Sequence, residues 1–208
     1  MGKHTVITIS RQYGSGGRLI GQMLAQQLGV PFYDNELITM AAKASGLGED
    51  LFKNADQSGA GSLLYSMSVY GSVNGFFDLP LSDKVFLAQS EVIRKVAAEG
   101  PCVIVGRCAD YVLKGKVDAV NVFIHSDMEH RKKRVVEEYG KPAERVEELI
   151  TKTDKRRATY YSYYSGMKFG RAENYHLTVN SDCVGIEATV ELIKNFYLAK
   201  AARQEAAV

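Results

Sequence analysis

Three glycines in four positions, Gly14, Gly16 and Gly17, stand beside an arginine in the run Ser10-Arg11-Gln12-Tyr13-Gly14-Ser15-Gly16-Gly17-Arg18. Residues without side chains let backbone N–H groups close around an anion, and a helix that begins there adds the partial positive charge of its amino end. Arg18 supplies a full charge at the same place. The chemistry this pattern suits is the holding of phosphate oxygens. The run departs from the phosphate-loop signature G-x-x-x-x-G-K-[ST]. With Gly16 on the second signature glycine, Arg11 stands on the first, Gly17 on the lysine and Arg18 on the hydroxyl residue that holds Mg²⁺. Arg11, Gly14, Ser15, Gly16, Gly17 and Arg18 are the candidate phosphate-binding residues. A dinucleotide fingerprint fits less well, because its third glycine falls on Leu19.

Other charged residues sit where such a site could use them. Arg107 follows the apolar run Cys102-Val103-Ile104-Val105, at the kind of strand end where α/β sheets bind ligands. An arginine fork grips phosphate oxygens bidentately. Asp154, Arg156 and Arg157 share one helical stretch, and serve either a phosphate site or a solvated face with i,i+3 pairing. The basic run Arg131-Lys132-Lys133-Arg134 reads as a solvated face. Tyr160, Tyr161, Tyr163 and Tyr164 either pack a helix on the core or stack on a base. Asp34 is a helix N-cap or, with Glu36, one of two carboxylates near a metal-bound water or a base. The four histidines lack ligand spacing, and the metal ligands are unknown at this level. Three cysteines, none in C-x-x-C spacing, exclude a disulfide framework or a zinc site.

The elements that position these residues follow from hydrophobic period and punctuation. Thr5–Ile9 is a β-branched buried strand, and Leu19 to Leu28 have helical spacing closed by Gly29 and Pro31. Pro31 to Tyr33 is a second strand, and Asp34 opens a helix to about Ser45. Ser82 or Asp83 caps a helix through about Glu99. Cys102 to Val105, Ala119 to Ile124 and His176 to Asn180 complete five strands. Ser126-Asp127 caps a helix to Tyr139, Pro142 lies in the first turn of the next, and a last helix runs from about Gly185 to Ala201. Its apolar positions, Ile186, Val190, Ile193, Phe196 and Tyr197, pack on the core or on a second subunit, so a homodimer stays open. Alternating strands and helices imply a parallel sheet covered on both faces. Residues 54–82, where glycine and serine alternate with Tyr65, Tyr70, Phe76 and Phe77, read as a linker or a mobile flap.

Composition narrows the function classes. The chain has 208 residues and a net charge of +2. That is enough length for a core without disulfides, and too little charge for a nucleic-acid polyelectrolyte partner. No apolar run approaches a membrane span and the start lacks the apolar stretch of a signal peptide, so a soluble, cytoplasmic protein is expected.

Four blocks together carry a resemblance. Ile7-Thr8-Ile9-Ser10-Arg11-Gln12-Tyr13-Gly14-Ser15-Gly16-Gly17, Phe32-Tyr33-Asp34, Val105-Gly106-Arg107 and the Asp154 to Tyr164 segment look like the cytidylate kinase-like family, a divergent branch of the P-loop nucleoside monophosphate kinases. The resemblance spans roughly residues 5–200. It implies a single domain of the P-loop NTPase type, a three-layer α/β/α fold around a five-stranded parallel sheet. It further implies a CORE of about residues 1–48, 83–127 and 174–208, an NMP-binding insert at about 49–82 and a LID at about 128–173. The implied activity is phosphoryl transfer from ATP, with Mg²⁺, to a nucleotide. Gly14 to Gly17 fall on the family's phosphate loop, with Arg18 as replacement cation. Asp34 falls on the acidic residue after strand two, while Met40 stands where cytidylate kinases carry a phosphate-binding arginine. Gly106-Arg107 matches their Gly-Arg after strand three, which contacts the acceptor phosphate, although Cys108 replaces their aspartate. Asp154 and Arg157 keep their D-x-x-R spacing, whose residues contact acceptor and transferring phosphates. The expected catalytic residues are therefore Arg18, Arg107, Asp154 and Arg157, and the expected acceptor-binding residues Asp34, Arg107, Asp154 and Arg157. A small-molecule nucleotide is the expected partner. The alternative is a P-loop protein that senses a nucleotide without efficient turnover.

Overall fold

The computed structural model describes residues 4–34, 37, 39–40, 43 and 80–206. Five parallel strands form one sheet: β1 (Thr5–Arg11), β2 (Phe32–Tyr33), β3 (Val103–Val105), β4 (Asp118–His125) and β5 (Leu177–Asn180), in the spatial order β2-β3-β1-β4-β5. The described helices are α1 (Gly17–Leu28), α2 (Leu81–Glu99), α3 (Ala109–Leu113), α4 (Met128–Glu137), α5 (Val146–Ser165) and α6 (Ser181–Glu205), with a 3₁₀ turn at Ala172–Asn174.

Strand alternation builds the layers. Val6 and Ile104 face a core made with Ile93 and Val96 of α2 and Leu113 of α3. Ile7, Ile9, Val103 and Val122 face the other side, against Ile20 and Leu24 of α1 and Val190 and Ile193 of α6. Both faces of the central strands are apolar, as a parallel sheet between helices requires. The expected three-layer α/β/α fold with a five-stranded parallel sheet is the one observed. A third, smaller cluster of Val135, Val146 and Ile150 seams α4 to α5, and Tyr13 packs against it.

Element ends differ from the expectation in instructive places. β1 runs on to Arg11, because its register with β4 continues to Arg11 opposite Ile124. α2 begins at Leu81 after Pro80, with Asp83 in its first turn and no side-chain cap. Pro142 precedes α5 by several residues; the helix starts after Arg145, which adopts a left-handed φ of 61°. Ser126 and Asp127 do not cap α4 with their side chains. Instead the Ser126 hydroxyl and the Asp127 N–H both donate to Asp182. α6 starts at Ser181 rather than Gly185, and Gly185 (φ 83°) kinks it. Val190 and Ile193 lie in the core, whereas Phe196 is exposed. The short α3 had no period long enough to read. The glycine-rich flap at 54–82 lies outside the described residues as far as residue 79, as does most of the helix expected after Asp34.

Candidate phosphate site

β1 delivers the chain to the carboxyl edge of the sheet, and α1 takes it away; the loop between them is the expected one. Gly14 (φ 83°) and Gly16 (φ 75°) are left-handed, a conformation that glycine enters without a Cβ penalty. Space demands glycine as well. A Cβ on Gly14 would lie 2.9 Å from the Arg131 carbonyl oxygen, one on Gly16 2.5 Å from Ile186 Cδ1 and one on Gly17 2.7 Å from Arg11 Cβ.

The carbonyls leading into and through the loop are engaged, four of them by groups from elsewhere. Arg157 donates to the Arg11 carbonyl (3.2 Å), Arg131 to that of Tyr13 (3.3 Å), Arg134 to that of Gly14 (3.0 Å) and the Ser181 hydroxyl to that of Ser15 (2.7 Å). The Gln12 carbonyl accepts from the Ser15 hydroxyl (2.9 Å). In a trans peptide the next N–H points opposite to the carbonyl. The amides of Gly14 and Gly16 are thereby turned away from these donors. Together with the first turn of α1, which has neither an acidic residue nor a side-chain cap, they are the donors left for an anion.

Guanidinium groups gather around this loop. Arg11, on the last position of β1, passes Gly17 and lies against Gly106, whose missing Cβ and φ of 82° make the room. Its Nη2 pairs with Asp34 (3.5 Å), and Arg18 Nε donates to the other carboxylate oxygen of Asp34 (2.7 Å). The carboxylate expected as an N-cap is thus turned to two arginines. Arg107 and Cys108 follow β3 with φ of 59° and 53°. Two successive side-chain-bearing residues in the left-handed region cost about 1–2 kcal/mol each, which places strain at the site rather than away from it. Burial lowers the Arg11 pKa, and the charges of Arg107 and Arg18 lower it further against the opposing pull of Asp34. Burial likewise lowers Arg107, partly offset by Tyr160 and Asp34. Arg157 is driven down to about 9 by burial and by the charge of Arg11.

The structure brings the expected residues Arg11, Gly14 to Arg18, Asp34, Arg107, Asp154 and Arg157 to one edge of the sheet. Several of them are held by contacts within the chain. Asp154 accepts from the Tyr13 N–H (2.7 Å) and from Arg131, so it braces the loop. Arg157 lies over the Tyr13 ring at 5.5 Å. The tyrosine cluster takes the packing role. Tyr164 stacks on Phe86 of α2 at 3.8 Å, Tyr161 donates to Asp110 (2.7 Å) and Tyr160 donates to Gln89 (3.3 Å).

Arg131 and Arg134 do not lie on the solvated face expected of their basic run. Arg131 is 5% exposed and Arg134 reaches the loop. Their i,i+3 spacing beside the buried Val135 is the signal that separates them from Lys132 and Lys133. Ser181 and Asp182, which tie α6 to the loop and to the end of β4, carried no signal of their own.

The chain matches the cytidylate kinase-like family over residues 6–183. It is 26% identical over 196 residues to a cytidylate kinase of Ignicoccus hospitalis, covering 93% of this chain and 99% of that one. A crystal structure of an uncharacterized protein from Eubacterium ventriosum superposes with a TM-score of 0.69 at 24% identity, covering 93% of this chain and 98% of that one. A gluconokinase from Sinorhizobium meliloti shares the fold with a TM-score of 0.54 at 14% identity, covering 98% and 97%.

Proposed function

Because the chain belongs to the cytidylate kinase-like family, we propose that it is an ATP-dependent phosphotransferase acting on a nucleoside monophosphate, cytidylate-like, or a related small acceptor. The observation that supports this most directly is the loop: its carbonyls are engaged, the amides of Gly14 and Gly16 point away from the groups that hold those carbonyls, and arginines surround it. Phosphoryl transfer asks little covalent chemistry of a protein; it asks for positioning and for neutralisation of charge spread over the phosphoryl oxygens.

In this reading the amides of Gly14, Gly16 and Gly17, with Arg18, hold the donor phosphates. Arg107, raised on strained backbone at the end of β3, faces the acceptor's phosphate. An acceptor oxygen attacks the γ-phosphorus while the bond to the β,γ-bridging oxygen breaks, and Arg157 offsets the charge that develops between them. Asp34 and Asp154 position these arginines and the loop. Mg²⁺, when carried in with ATP, supplies further charge neutralisation at the phosphates. Among the described residues no group of three or more His, Cys, Asp or Glu stands ready to hold it.

Coupled ADP production, measured with ATP and Mg²⁺ against a panel of nucleoside monophosphates and dephospho metabolites, tests the proposal. Acceptor-dependent turnover supports it and names the substrate. A second reading, a nucleotide sensor, is favoured by Gly17 and Arg18 in place of the loop's usual lysine and hydroxyl. It predicts that ATP raises the Tm while no acceptor elicits turnover.

A further inference from the structure

The geometry points to a triphosphate site in which guanidinium groups, rather than a magnesium ion held by the protein, neutralise the bound phosphates; this rests on the donor-site reading above. A magnesium ion requires a near-octahedral set of oxygens and is commonly held at such loops by a hydroxyl and by carboxylates at neighbouring strand ends. Each of those places is taken here. Arg18 stands at the hydroxyl position. β1 ends in Arg11 and β3 leads into Gly106-Arg107.

Among the described residues, the carboxylates near the loop are already committed. Asp34 receives Arg18 on one oxygen and Arg11 on the other. Asp154 receives the Tyr13 amide on one and Arg131 on the other. Asp182 receives the Ser126 hydroxyl and the Asp127 amide on one oxygen. Among the described residues no cluster of three or more His, Cys, Asp or Glu could hold a metal.

What fills the space between loop and β3 is a cation of another kind. The Arg11 side chain runs where a Cβ on Gly17 would collide with its Cβ and Cγ and a Cβ on Gly106 with its guanidinium. Both glycines are therefore accounted for by one arginine. Arg11, Arg18 and Arg157 are close enough for their charges to act on Arg11 or to be acted on by it. Like charges packed on one another without an anion are unfavourable, and a polyanion placed among them relieves that. At neutral pH arginine keeps its charge while partly dehydrated and offers a planar fork to phosphate oxygens, so it can stand in for the ion's neutralising role.

The consequence is measurable without turnover. Calorimetric titration of the intact chain with ATP, once in excess EDTA and once in excess Mg²⁺, is expected to give Kd values within about threefold, because the neutralising charge is already in the site. Arg11→Gln, checked for folding by its Tm, is expected to weaken binding of metal-free ATP about tenfold or more, with Arg11→Lys restoring part of it. Arg18→Ser, which returns the loop's hydroxyl and removes the exposed cation, is expected to make binding depend on Mg²⁺. If the unaltered chain binds ATP tenfold or more tightly with Mg²⁺, the inference is overturned and the donor-site reading stands. A folded Arg11→Gln chain that binds metal-free ATP as well as the parent also overturns it. If ATP binds under neither condition, the donor-site reading itself falls, and the inference falls with it.

Discussion

The two ends of the sheet handle charge in opposite ways. At the amino end of β4 a cavity of about 360 Å³ is lined by Asp110, Asp118, Asn121, His176 and Lys200 among others. There Lys200 and Asp118 are matched one to one. Lys200 pairs with Asp118 and donates to the Ala119 carbonyl (3.1 Å), and Thr5 donates to Asp118 (2.8 Å). Burial pushes the Asp118 pKa up, but Lys200 and Thr5 outweigh it and hold the carboxyl below its usual range. At the carboxyl end Arg11, Arg18, Arg131 and Arg157 share Asp34 and Asp154, and the backbone at Arg107 and Cys108 is strained. Matched charge on relaxed backbone is what a fold needs for itself. Surplus cation on strained backbone persists where a ligand of opposite charge completes it.

The largest break in this contrast is expected from Gly106→Ala. A methyl group there meets the Arg11 guanidinium, on a backbone at φ 82°. Loss of about 2 kcal/mol or more in urea unfolding is expected, together with loss of ATP binding. An equivalent change at Gly115, whose φ of 70° is accompanied by no neighbour within 4 Å, carries only the backbone part of that cost.

pH sharpens the contrast next. The Arg157 pKa is lowered to about 9, so the residue is cationic below that pH and loses its proton above it. Polyanion binding is therefore expected to weaken as pH rises through about 9, and to be accompanied there by proton uptake. Titrations in buffers of different ionisation enthalpy would show the uptake, and no uptake together with an unchanged ATP affinity in Arg157→Gln would remove Arg157 from the site.

A smaller and opposite effect is expected at Asp110. Burial raises its pKa despite the hydrogen bond from Tyr161, and its Oδ1 has no partner. A carboxyl whose pKa is raised by folding destabilises the fold at pH above its unfolded value, and the effect vanishes below it. Asp110→Asn should accordingly raise the Tm at neutral pH by a few degrees and leave it unchanged at low pH. Smallest is Lys200→Met, a partly exposed ion pair whose loss is expected to cost under about 1 kcal/mol and to leave ATP affinity untouched.

How much of this was legible in the sequence depended on how local the cause is. β1, the glycine loop and α1 are fixed by neighbours within a few residues, so the phosphate loop could be read directly. The partners of Asp34 lie 16 and 23 residues away, and nothing in Tyr33-Asp34 distinguishes an N-cap from a counterion. Arg131 and Arg134 looked like Lys132 and Lys133 because the distinction is made by contacts with Tyr13 and Gly14, more than a hundred residues distant. Pro142 was misplaced because the chain needs Arg145 in a left-handed turn before Val146 can enter the seam with Val135.

Arg131, Arg134 and Arg157 each hold a carbonyl of the loop, and all three stand on the pair of helices joined by Val135, Val146 and Ile150. That pair cannot move off the loop one bond at a time, because the cluster keeps the two helices together. Its departure is therefore expected to be cooperative, a single all-or-none event rather than gradual fraying. If the site turns over, one clock governs both admission of nucleotide and discharge of product, and the slow step belongs to the grip of three arginines rather than to the bond they help transfer.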